Sequence, residues 1–239
     1  VDVDKLPSLH YSSEIAGTTG IGFATESGMP PGIPVVVGGP DGSMAVLGGG
    51  GVKPGDLVNV MGTTDVCFGV TEKPHFDKER SLLNNPHLLP NLWLTGGPMG
   101  MTGGTVRWFV NELGNDSGVD NSETMLIFET LAERIPAGSS NLFFIPSLTG
   151  ERTPFWNPSI RGSIVGLSKH HTKGHIYRAL LEGNGFSLNH LFQKLESSGC
   201  EFKQYIALGG GARSRLALQI RADITGKRIC VPKEIEAST

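Results

Sequence analysis

The chain has 239 residues, room for one large domain or one domain and part of a second, and its 20 Lys+Arg against 23 Asp+Glu leave a net charge of -3. No basic cluster marks a nucleic-acid surface or an anionic membrane, no apolar run reaches membrane-spanning length, and Cys67, Cys200 and Cys230 have neither disulfide-framework nor zinc spacing. A small-molecule partner and a reducing, cytoplasmic setting remain. The 34 glycines are clustered, as they are where backbone approaches backbone or a phosphate.

Residues 6–34 are polar and rich in Gly, Thr and Ser, too poor in apolar residues for a core of their own, with 14–16 and 21–26 as short pieces of larger elements. Val35, Val36 and Val37 suit a buried strand, broken by Gly38, Gly39 and Pro40 so that Asp41 projects from a tight turn at its end. There Asp41 could accept a proton from a substrate hydroxyl during attack on a phosphoryl group, or merely close an Asx-turn. After an apolar run at 43–47, the four glycines 48–51 read as a flexible connection, and a domain boundary is placed near residue 50. Val52 before Lys53 and Pro54 after it rule out a P-loop.

Residues 57–61 and 66–71 predict a β-hairpin whose turn carries the hydroxyls of Thr63 and Thr64, donors that could meet a phosphate. A polar loop runs to Pro90, then a strand at 92–95 and a glycine-rich passage at 96–104. Val106, Phe109, Val110 and Leu113 have helical spacing, with Gly114 as the stop. Ser122 is expected to cap the next helix, with Ile127, Phe128 and Leu131 as its buried face. Strands at 141–146 and 162–167 flank a long loop holding Arg152, Trp156 and Arg161, whose arginines by default pair with local groups. His171 and His175 lie a helical turn apart, as metal ligands can, but a solvated helix end is the expectation; the sequon at Asn115 is a common chance match.

The longest helix is predicted at 172–197. Gly183 and Gly185 each cost it about 1 kcal/mol relative to Ala, which close packing of another backbone would offset. A strand at 205–208, a glycine turn at 209–214, a helix at 215–225 and a strand at 228–231 complete a β-turn-α-β unit. The turn, with Gly209, Gly210, Gly211 and Ser214, could present amides and a helix N-terminus to a nucleotide or simply serve packing; it is not the Rossmann fingerprint.

In this order the pieces resemble the FGGY carbohydrate kinase family, with its glycerol kinases and xylulokinases. Gly162 to Leu167, seven residues, then His175 to Glu182 fit the family's C-terminal signature; Gly150 to Pro158, Leu208 to Ser214 with Gln219, Ala222 and Asp223, Met61 to Thr64, and Val37 to Gly42 match further motifs. The resemblance implies an α/β fold of the ribonuclease H-like, actin/hexokinase type, here a C-terminal domain (51–239) truncated at its end, with the remnant of an N-terminal sugar-binding domain and connection (1–50). It implies transfer of a phosphoryl group from ATP, with Mg2+, to a sugar or polyol. Asp41 then matches the general base, Gly62, Thr63 and Thr64 the phosphate turn, Gly103 and Arg107 nucleotide contacts, and Gly209, Gly210, Gly211 and Ser214 the bend beside adenosine, across one crevice from Asp41. No nucleic acid or membrane is expected as partner, and a homodimer is left open. The chain reads as a fragment, inactive alone; the family's Asp-x-Gly-Thr phosphate loop and most sugar contacts are absent, and Gly42 replaces a polar residue of several relatives. A ketose such as xylulose is the expected substrate, and a non-catalytic nucleotide-binding module or an oligomerisation domain are the alternatives.

Overall fold

The computed structural model describes residues 2–114 and 121–236. Among these, strands β1 (Ile15–Thr18) and β2 (Pro34–Val36) form a small antiparallel ribbon around helix α1 (Ile21–Ser27), and α2 (Asp41–Gly48) follows. Then come β3 (Asp56–Met61), β4 (Asp65–Thr71), β5 (Leu83–Pro86), β6 (Trp93–Pro98), α3 (Thr102–Phe109) and α4 (Asn121–Glu133). The ribbon of β7 (Phe143–Ile145) and β8 (Ser163–Val165) precedes α5 (Lys173–Ser197), and β9 (Gln204–Leu208), α6 (Arg215–Thr225) and β10 (Ile229–Cys230) finish the fold. A six-stranded sheet runs in the order β10-β9-β3-β4-β6-β5, parallel across β10, β9 and β3 and antiparallel beyond.

Period-two alternation gives the sheet two apolar faces. Leu57, Met61, Cys67, Tyr205 and Ala207 turn to one side, under α3, α4, α5 and α6; Val58, Phe68, Ile206 and Leu208 turn to the other, where Ala45 and Val46 of α2 cover them. On the helical side Phe109 of α3, Phe128 of α4 and Tyr177 of α5 meet with ring centroids 5.2 to 5.5 Å apart, so one aromatic cluster fixes three helices relative to one another. The hairpin is as expected, with Met61 opposite Asp65. At Gly183 a Cβ would lie 2.1 Å from the Phe144 carbonyl oxygen, the close backbone approach expected there, whereas Gly185 faces the Ile224 side chain.

Several expectations are corrected. The valine strand is not buried: β2 pairs only with the short β1 and its residues are exposed, so β-branched composition recorded strand propensity rather than burial. Asp41 does not close a turn at a strand end; it is the first residue of α2. Nor is the glycine run a flexible connection. A Cβ on Gly49 would fall 2.5 Å from Leu208 Cδ2, and one on Gly51 2.6 Å from Val58 Cγ2, so these glycines let α2 lie against the sheet. The loop before Pro90 contains edge strand β5, with Pro86 at its end, where an edge tolerates proline. In α4 the buried positions are Thr124, Phe128 and Ala132, set by the aromatic cluster, while Ile127 and Leu131 are exposed. Ser122 lies inside α4 rather than ahead of it, and the Asn115 sequon falls outside the described residues.

Candidate active site

The C-terminal ends of β3 and β9 point the same way, and the turns that leave them converge on a cavity of about 540 Å³, within the usual range for small-molecule sites. Gly62 and Thr63 contribute from the β3–β4 turn, Gly103 and Arg107 from α3, Gly210, Gly211 and Ser214 from the turn after β9. Seven residues expected from the sequence are thus gathered around one hollow. Thr64, Gly209 and Asp41 are not part of the lining.

Close backbone contacts bring the walls together. A Cβ on Gly103 would sit 2.3 Å from the Gly62 carbonyl oxygen, so the start of α3 lies on the hydroxyl-bearing turn, and the Gly104 amide donates to the Thr63 carbonyl at 2.9 Å. Gly209 has φ 85°, the left-handed region, and swings the chain over Met61; a Cβ on Gly211 would be 2.9 Å from Met61 Cβ. A Cβ on Gly210 would meet nothing within 4 Å, leaving that stretch of backbone bare toward the hollow. Ser214 caps α6, its Oγ accepting from the Ala217 amide at 3.1 Å. Amides at two helix starts, a bare glycine backbone, hydroxyls and the exposed Arg107 suit an anionic ligand with an attached flat group, which Met125 and Leu126 of α4 and Leu181 of α5 could cover.

The floor holds residues that sequence reasoning missed. Asp65 and Arg221 are 1% and 4% exposed, with Arg221 Nη1 2.7 Å from Asp65 Oδ2, an ion pair set somewhat off the N–H direction. Thr102 Oγ1 donates to Asp65 Oδ1 at 2.7 Å, and Asn59 Oδ1 accepts from Arg221 Nη1 at 2.6 Å and from the Tyr205 hydroxyl at 3.1 Å. Burial works against the charged guanidinium, but the Asp65 carboxylate and Tyr205 together outweigh it and hold Arg221 above its ordinary value. Burial likewise pushes the Tyr205 hydroxyl and the Cys67 thiol up, so neither ionises at neutral pH. Asn184 Nδ2 reaches the Thr102 carbonyl at 3.5 Å, and its buried Oδ1 meets no protein donor among the described residues. The available signal was Arg221 lying on the face of α6 that also carries Ala217 and Ile220: an arginine on a buried stripe asks for a buried acid.

Asp41 is exposed at the first turn of α2, its Oδ1 accepting from the Gly42 amide at 2.7 Å. A Cβ on Gly42 would lie 4.0 Å from Val66 Cγ1, so the start of α2 lies beside the hairpin that carries Thr63, and α2 covers the sheet face opposite α3, α5 and α6. Four of the other sequence candidates have protein partners. Arg161 donates to the Pro158 and Ile160 carbonyls, and Trp156 Nε1 to the Ser81 carbonyl. His175 Nδ1 accepts from the Thr172 amide at 3.2 Å, completing the cap of α5, and His171 Nε2 lies 3.2 Å from the Ser140 carbonyl. Among the described residues no cluster of His, Cys, Asp and Glu could hold a metal ion.

Residues 57–239 match the C-terminal domain of the FGGY family of carbohydrate kinases. The chain is 32% identical to a gluconokinase from Bacillus subtilis over 98% of its length and 47% of the relative's, and 30% identical to a xylulose kinase from Escherichia coli over 95% and 45%. It superposes on a ligand-bound xylulose kinase and a gluconate kinase from Lactobacillus acidophilus with TM-scores of 0.87 and 0.86, at 26% identity, covering the whole chain and 47% of each. The chain thus spans about half the length of the curated relatives it matches, and its fold is that of a ribonuclease H-like C-terminal domain.

Proposed function

This chain belongs to the FGGY family of carbohydrate kinases, and on that basis we propose that it supplies the nucleotide-binding part and the general base of an enzyme transferring a phosphoryl group from ATP to a sugar or polyol hydroxyl. The observation carrying this reading is the convergence of Gly62–Thr63, Gly103–Arg107 and Gly210–Ser214 on one cavity. Residues 51–239 form the nucleotide-binding domain and residues 1–50 the end of a sugar-binding domain, with α2 seated across the join. The phosphates lie against Thr63 and the start of α3, and adenosine lies along the bare backbone at Gly210. Arg107 faces the anionic end.

Asp41 takes the proton of the acceptor hydroxyl as its oxygen bonds to the γ-phosphorus and the bond to the departing ADP oxygen breaks. Phosphoryl transfer asks mainly for alignment and charge neutralisation, which hydroxyls, amides and a guanidinium supply without covalent chemistry. Magnesium would be held largely by the phosphates and water, as this ion commonly is in such sites. The acceptor is a sugar or sugar acid, xylulose and gluconate being the first to test, and the setting is cytoplasmic. The test is a coupled ADP-release assay of the complete enzyme across a sugar panel, with melting temperature read beside it, since a ligand raises stability by mass action. Sugar-dependent ADP release supports the reading. ATP binding with no turnover on any sugar would favour a non-catalytic module instead.

A further inference from the structure

We propose that the buried Asp65–Arg221 pair is a positioning pair for the nucleotide: it fixes the spacing between the phosphate seat and the adenosine seat. The proposal rests on reading the cavity as a nucleotide site. Asp65 comes directly after the Gly62–Thr64 turn, and Arg221 lies two helical turns beyond Ser214 on α6. Both side chains line the cavity floor, and no sequence motif singled out either one.

Their contacts join the elements whose ends form the site. Asp65 accepts from Thr102, the first residue of α3, and faces Arg221 of α6 at 2.7 Å; Arg221 also donates to Asn59 of β3, which accepts in turn from Tyr205 of β9. One network therefore ties the hydroxyl turn and the start of α3 to the helix that begins at the glycine bend. Stability alone does not account for it. A buried ion pair recovers little beyond its desolvation cost, and apolar residues of similar volume commonly serve as well. What a carboxylate and a guanidinium provide that leucine and methionine do not is a fixed separation, anchored by hydrogen bonds from Thr102 to Asp65 and from Arg221 to Asn59. In a two-seat site that separation governs whether one ligand can occupy both seats at once, because the second contact is intramolecular only when the spacing fits.

The test compares the complete enzyme with its Asp65→Leu/Arg221→Met double variant, which removes both charges and strands neither. Titration calorimetry or competition gives affinities for ADP, adenosine and pyrophosphate, and a melting curve checks folding. The expected result is an ADP affinity lower by roughly tenfold or more, with adenosine and pyrophosphate each changed by less than about threefold, because the seats survive and only their coupling is lost. Arg221→Lys keeps the charge but cannot span Asp65 and Asn59 together, and should fall in between; it decides the matter by the same ratios if the double variant does not fold. Unchanged ADP affinity in a folded variant overturns the proposal while leaving the cavity a nucleotide site. An equal loss for all three ligands overturns it too, reducing the pair to a structural contact. Failure of the parent enzyme to bind any of the three overturns both readings.

Discussion

Gly183, midway along α5, lies against the carbonyl of Phe144 so closely that a Cβ there would stand 2.1 Å from the oxygen. The obstacle is backbone held in the β7–β8 ribbon, so it cannot yield as a side chain would. Gly183→Ala is therefore expected to destabilise the protein by about 3 kcal/mol, the upper range for overpacking. Gly185→Ala, whose new methyl would meet the movable end of Ile224 at 2.7 Å, should cost about 1 kcal/mol or less once the gain in helix propensity is counted. Paired urea denaturation curves would separate them.

The proposed role of Asp41 as general base can be tested directly. Asp41→Asn in the complete enzyme should lower kcat by about a thousandfold, within the range for loss of a general base, and leave ADP affinity within about twofold, since the residue is outside the cavity lining. Steady-state kinetics and calorimetry on the same preparation would check both halves. Retained turnover would remove the residue from the mechanism.

Gly103→Ala tests the proposed phosphate seat. The added carbon would stand 2.3 Å from the Gly62 carbonyl oxygen, so either the hydroxyl turn or the start of α3 must retreat. ADP should bind about tenfold more weakly, equivalent to roughly 1.4 kcal/mol, with sugar KM little changed. Equal weakening of sugar and nucleotide would instead indicate general disruption.

Glu182 holds an unusual piece of backbone. Gly138, Ser139, Ser140 and Asn141 follow one another at φ 83°, 47°, 56° and 69°, a left-handed run that three non-glycine residues adopt only under constraint. Glu182 accepts from the Gly138 amide at 3.0 Å, the Ser139 hydroxyl at 2.8 Å and Arg178 Nε at 2.8 Å. Glu182→Ala strands the buried Arg178 and frees the run, for an expected loss of about 3–5 kcal/mol. Glu182→Leu combined with Arg178→Met should recover part of it, as measured by chemical denaturation.

Asp77 gives an acid-sensitive contact. Burial pushes its carboxyl up, but donors from the Ser81 hydroxyl and the Leu82 and Ser81 amides outweigh that and hold it below the usual carboxylate range. A lowered folded-state pKa contributes stability above the unfolded value of about 3.9, and loses it as the pH falls through the folded value. Asp77→Asn should thus be less stable than the parent by about 1–2 kcal/mol at pH 7, with the gap narrowing below about pH 4. Thermal melts across that range would test it.

The strands at 57–61 and 66–71, the long helix and the closing β-turn-α-β unit were legible because each has a strong period and clear punctuation: alternation for the strands, an i, i+3, i+4 stripe for the helices, glycine at the bends. The cavity's glycines and hydroxyls were legible for the same reason, since turns announce themselves. Burial was harder. Val35 and Val36 have the composition of a core strand, yet among the described residues β2 pairs with β1 alone and both valines are exposed; Ile127 and Leu131 have helical spacing but lost the inward face to Phe128, which the aromatic cluster claims. The buried stripe of α6 could have flagged Arg221, but its partner could not be read, because Asp65 is 156 positions away and neither residue belongs to a motif.

The amide of Gly209 donates to the Ile235 carbonyl at 2.8 Å, while Arg213 Nη2 and Glu236 Oε1 stand 2.9 Å apart. The segment past β10 thus clasps the glycine bend from outside at two points. A proton resonance for that one amide, followed by hydrogen–deuterium exchange, would then act as a gauge of whether the clasp is fastened.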